Sequence, residues 1–132
     1  MTTLAIDTPR TYEQGCLNDV PMIAADIIFE GAAVGSSGGY ARPLVAADVF
    51  LGMAIQNCDN SLGAAGAEYV KVQPKGEVQL AVASVAITSI GLPVYASDDN
   101  TFTLVSTSNS LIGKVKRFIS SGICIVSFNA LP

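Results

Sequence analysis

The sequence predicts an all-β domain, an antiparallel sandwich or barrel-like fold with an extended N-terminal arm. Three observations lead there. Turn-forming residues recur every few positions from Val20 onward, and short runs of alternating apolar and polar residues lie between them. Stretches rich in Ala are broken by β-branched residues and lack helix caps.

Residues 1–19 read as the arm. Thr8-Pro9-Arg10-Thr11-Tyr12-Glu13-Gln14-Gly15 is polar, contains a Pro and has neither helical nor strand periodicity. Residues 20–132 read as the β domain. Its turn signals include Glu30-Gly31, Gly35-Ser36-Ser37-Gly38-Gly39, Arg42-Pro43, Asn57-Cys58-Asp59-Asn60, Gly91-Leu92-Pro93, Asp98-Asp99-Asn100 and Ser120-Ser121-Gly122. Ala46–Phe50 suits a single turn. Val70 and Val72 alternate with Lys71 and Gln73, and Val78, Leu80 and Val82 alternate with Gln79 and Ala81. Pro74-Lys75-Gly76 between them predicts a hairpin connection. Ala81–Ile90 is rich enough in Ala for a helix, but its Val and Ile residues favour the β reading. Phe102 and Leu104 alternate with Thr101 and Thr103. Ile123–Phe128 is apolar on both faces, as a central strand is.

Composition excludes several function classes. The chain has 132 residues, half of them hydrophobic, only 14% charged, with a net charge of −4. That fits one domain and argues against disorder, which needs low hydrophobicity and high charge. Seven Lys and Arg argue against a nucleic-acid module. With no histidine, Ser-His-Asp triads, Cys-His dyads and histidine metal sites are impossible. The mean hydropathy of +0.47 raises the question of a membrane span. The longest charge-free stretch, Val78 to Ser97, carries Gln79, Ser84, Thr88 and a Gly91-Leu92-Pro93 break, so no span is expected. Met1–Asp7 has neither the basic nor the apolar region of a signal peptide, and the expectation is a protein made in a cytoplasm. Cys16, Cys58 and Cys124 lack metal spacing and fit reduced thiols, with Cys124 a small buried hydrophobe.

Motifs that could carry chemistry have simpler readings. Gly35-Ser36-Ser37-Gly38-Gly39 spells a nucleophile elbow, but there is no base to activate the serine, and such clusters are ordinary loop material. Asp98-Asp99-Asn100 lacks the spacing of a calcium loop and reads as a turn. Lys114, Lys116 and Arg117 form the only basic cluster. They read as a solvated strand edge or as a small patch for an acidic partner. No catalytic, cofactor or metal residue is predicted. One internal echo stands out: Leu51-Gly52-Met53 and Ile112-Gly113-Lys114 each set a Gly inside a strand-like run. Each is followed later by a Gly leading into alternating β residues, at Gly76 and Gly122. Two similar sandwich elements, with bulges or close backbone approaches at the glycines, explain it.

The ordered set of these features resembles a known family. Leu51-Gly52-Met53-Ala54, Tyr69-Val70-Lys71-Val72 with Gly76-Glu77-Val78, Gly91-Leu92-Pro93-Val94-Tyr95-Ala96, Leu111-Ile112-Gly113 and Gly122-Ile123-Cys124-Ile125-Val126 follow the succession seen in the small head decoration (cement) proteins of tailed phages. The resemblance spans Val20 to Phe128 and departs in the first twenty residues and at 35–39. It implies a non-enzymatic structural protein on the outer surface of the virion, made in the host cytoplasm. Its partners would be the major capsid protein, whose subunits it bridges, and further copies of itself, with a trimer favoured over a dimer. Neither nucleic acid nor membrane is an expected partner. On this reading the arm, with Ile6, Tyr12 and Glu13, reaches a neighbour or the capsid. Tyr40, Arg42, Asp98 and Asp99 are further contact candidates. A carbohydrate- or receptor-binding module of a virion fibre is the alternative, weakened by the lack of Trp and by only nine Phe and Tyr.

Overall fold

The computed structural model describes residues 5–7, 9 and 16–130. The fold is all-β and antiparallel, with no α-helix among the described residues. One five-stranded sheet contains β1 (Asn18–Pro21), β3 (Ala33–Ser37), β4 (Tyr40–Pro43), β5 (Val49–Ala54) and β7 (Tyr69–Gln73) in the order β1-β7-β5-β3-β4. A second contains β8 (Lys75–Ala81), β9 (Pro93–Asp98), β10 (Thr101–Thr103), β11 (Ser110–Ser120) and β12 (Ile123–Asn129) in the order β10-β9-β11-β12-β8. A two-stranded ribbon joins β2 (Asp26–Ile28) to β6 (Cys58–Asn60).

The two large sheets have the same topology. Read from β1, the first runs through its own first, fifth, fourth, second and third strands; read from β8, the second does the same. Each sheet curls until its edges touch. Met22, just after β1, makes a parallel bridge to Ala41 in β4, and Val82, just after β8, makes one to Phe102 in β10. Hydrogen bonds repeat as well. The Gly31 N–H donates to the Ala54 carbonyl (2.8 Å) and the Ala54 N–H to the Ala32 carbonyl (2.9 Å). The Gly91 N–H donates to the Val115 carbonyl (2.8 Å) and the Val115 N–H to the Leu92 carbonyl (3.0 Å). The echo at Gly52 and Gly113 is part of this repeat. A Cβ on Gly52 would overlap the Gln73 carbonyl at the end of β7, and one on Gly113 would overlap the Ser127 carbonyl in β12. Only glycine lets the strands approach so closely.

Each half has its own core. In the first, Val20, Met22, Val34, Ala41, Ala54, Val70 and Val72 are buried together with Ile28 of the ribbon. In the second, Val82, Val94, Phe102, Val115, Cys124 and Val126 hold the corresponding places. Ala33, Leu44, Phe50 and Met53 of the first half join that second core and fasten the halves together. Phe50 meets Phe128 edge-on across this seam, with ring centroids 6.2 Å apart. Burying such aromatic and aliphatic groups contributes roughly 1.5–3 kcal/mol per side chain.

Four expectations change. β7 and β8 do not form a hairpin: β7 pairs with β1 and β5, while β8 pairs with β12. Pro74 is the crossing between halves, and its carbonyl accepts from the Ala130 N–H (2.7 Å). Residues 35–37 are strand rather than loop, and only Gly38-Gly39 turns the chain, with φ of 60° and 92°. Positive φ at both positions is the tight two-residue hairpin geometry. β11, with its basic cluster, is interior to its sheet, between β9 and β12, and so protects no edge. β1 begins at Asn18, two positions before the β domain was expected to start. Among the described residues no helix is long and apolar enough to cross a membrane; the charge-free stretch folds as strand, loop and a 3-10 turn (Ile87–Ser89).

Candidate interaction surfaces

Arg42 and Asp48 form the best-defined polar site. Arg42 lies on edge strand β4, opposite Gly35. Its Nε donates to Asp48 Oδ2 at 3.0 Å and its Nη2 to Oδ1 at 2.7 Å. The Val45 N–H also donates to Oδ2, at 3.0 Å. A Cβ on Gly35 would fall on the Asp48 carboxylate, so the glycine leaves room for the pair. The Arg42 guanidinium holds the Asp48 carboxyl below the usual carboxylate range, and Asp48 raises Arg42 in return. Bidentate geometry makes this pair a clamp on the β4–β5 turn rather than a free docking cation. Tyr40, two positions earlier, is exposed near Gly66.

Asp98 ends β9, opposite Thr101, and Asp99-Asn100 turn the chain into β10, where the sequence reading expected a turn. Asp98 Oδ1 accepts from the Asn100 N–H (2.9 Å), and the Asp99 carbonyl accepts from the Ala33 N–H (2.9 Å) of the first half. Burial pushes the Asp99 carboxyl up, and Asp98 and Asp26 add to the effect. Phe29, 64% exposed, and Glu30 line a depression with Asp99. The result is an acidic edge around an exposed aromatic ring.

The opposite end of β9 has the reverse character. Ile87, Ile90 and Leu92 are exposed there. Lys114 pairs across from Pro93, the first residue of β9, and Arg117 lies three positions further along β11. Lys116 Nζ reaches Glu77 at 2.6 Å, whereas no ion pair involves Lys114 or Arg117 among the described residues. Sequence reasoning singled out the cations but missed their apolar neighbours. Ile87, Ile90 and Leu92 follow neither a period of 2 nor one of 3.6, so no pattern marked them as a surface.

Ile6 is exposed at 80%, while Tyr12 and Glu13 lie outside the described residues. The site candidates therefore do not form one patch: Arg42 sits in an internal clamp, and Asp98 and Asp99 sit in the acidic edge. A cleft of about 620 Å³ between β5 and β11 is lined by Val49, Phe50, Leu111 and Ile112, with Lys114 and Asp48 among its polar lining residues. Among the described residues no three His, Cys, Asp or Glu side chains gather as a metal site. Cys16, Cys58 and Cys124 are free thiols; Cys16 is exposed and Cys124 buried. Compared with known proteins, no family model and no characterised sequence matches the chain.

Proposed function

We propose that the chain is a capsid decoration protein, which binds the outer surface of a phage head and stabilises it by bridging major capsid protein subunits. The observation that carries this reading is the ordered motif set from Val20 to Phe128, two of whose glycines, Gly52 and Gly113, fall at corresponding points of two like halves. Its surface supports the reading too. On a chain with few charges, large apolar side chains are exposed at both ends of β9 beside charges that form no ion pair among the described residues.

The mechanism is linkage. A ligand that binds the assembled shell but not free subunits stabilises the shell by mass action. Several copies acting together gain avidity without a large interface for each copy. In this scheme the N-terminal arm, with Ile6, Tyr12 and Glu13, provides the first contact with the shell or a neighbour, and the chain acts as a homo-oligomer, a trimer in the favoured form. The experiment is co-sedimentation with empty shells of the phage that encodes the chain, using the full protein and one lacking residues 1–15. The full protein pellets with shells and the truncated one pellets poorly. Equal pelleting of both sinks the role of the arm. Failure of both, combined with binding in a glycan screen, favours the carbohydrate-binding alternative.

A further inference from the structure

The internal repeat shows what the second half lacks. In the first half the loop after β1 contains β2, and β6 lies over it as a ribbon, pairing Ile27 with Asp59 and Ile28 with Cys58. β6 is supplied by the long connection from β5 to β7. In the second half the equivalent connection, from β11 to β12, is only the Ser121-Gly122 turn, so among the described residues no strand covers the loop after β8. The consequence is visible residue by residue. Ala32 is buried, while its counterpart Leu92 is exposed. Ile27 is half-buried in the ribbon, while its counterpart Ile87 is 62% exposed. Beside this uncovered loop stand the exposed Lys114 and Arg117, so what covers it should be acidic as well as apolar.

The chain itself carries such a surface. Phe29, Glu30, Asp98 and Asp99 combine an exposed ring with carboxylates that form no ion pair among the described residues, at the other end of β9. A strand of that length separates the two ends by roughly 20 Å. One copy cannot satisfy itself across that span, but two copies can. We propose that the uncovered end of the second half (Ile87, Ile90, Leu92, Lys114, Arg117) binds the acidic edge (Phe29, Glu30, Asp98, Asp99) of a second copy of this chain. The contact uses different surfaces on the two partners, so repeating it gives a closed ring when the rotation allows. This rests on the self-association part of the proposed function and names the surfaces that carry it.

The test is sedimentation velocity across concentration and salt, without shells. The parent chain associates at low salt and loosens as salt screens the contact. Lys114→Glu with Arg117→Glu, or Glu30→Lys with Asp99→Lys, weakens association about tenfold or more. A chain carrying all four changes regains it, because the two ends again carry opposite charge. Ile90→Ser, at an exposed position, weakens association without lowering the thermal midpoint of the dissociated chain. A monomeric parent, unchanged association in either charge-reversed pair, or no recovery in the four-fold exchange overturns the proposal. Shell binding is assayed separately, so an oligomer that assembles as described but ignores shells counts against the decoration reading alone.

Discussion

At the residue scale, two carboxylates with opposite shifts give opposite pH behaviour. Asp48 is held below its ordinary value, chiefly by hydrogen bonding to Arg42. Its contribution to stability is therefore complete above the unfolded value, about pH 4, and is lost as pH falls through the lowered folded value. Asp48→Asn should be less stable than the parent at neutral pH, with the gap narrowing on acidification below about pH 4; denaturant unfolding at several pH values measures it. Asp99 behaves in the opposite sense. Its value is raised by burial, then by Asp98 and Asp26, so the folded chain carries a cost at neutral pH that disappears as Asp99 takes up a proton. Asp99→Asn should stabilise the dilute, dissociated chain at neutral pH and do nothing in acid. Equal stability at neutral pH would mean that the carboxylate is compensated within one copy. The Asp48 partner was not legible in the sequence, because Ala46–Phe50 signalled only a turn and the bidentate pairing depends on the space left at Gly35.

At the element scale, the alternation of Val70, Val72, Val78 and Leu80 was enough to place β7 and β8, and the apolar run at Ile123–Phe128 was enough to place an interior β12. Strand pairing was not legible in the same way. Pro74-Lys75-Gly76 has the residue types of a hairpin turn, yet the partners available to β7 and β8 lie in different halves, and tertiary pairing decided the outcome. Gly35-Ser36-Ser37 looks like loop material because small polar residues hide a strand that packs against Phe50 and Val49. The ribbon escaped notice because three-residue strands leave too short a pattern to read. Its role leads to a contrast between the halves. Ile28→Ala, in the covered core, should cost about 2–5 kcal/mol, whereas Ile87→Ser, at the uncovered counterpart loop, should change monomer stability by less than about 0.5 kcal/mol. Chemical denaturation of the dissociated chain gives both values, and a large loss at Ile87 would mean that the second half covers its loop after all.

At the scale of the whole molecule, the excess of apolar residues has two destinations. Much of it fills two cores within one short chain, one for each half. The repeat that the sequence showed at Gly52 and Gly113 organises both large sheets, whereas Gly76 and Gly122, read as part of the same echo, both lie in the second half. The remainder is displayed at Phe29, Ile87, Ile90 and Leu92, next to charges without an ion-pair partner among the described residues. On the proposed function these residues complete themselves against other subunits, and the shell gains stability in proportion to how tightly they do so. The most direct measurement is the thermal disruption of empty shells with and without the full-length protein, over a range of its concentration. The account predicts saturable binding and a disruption temperature that rises with added protein. Shells that break at the same temperature with the protein present in excess would contradict it.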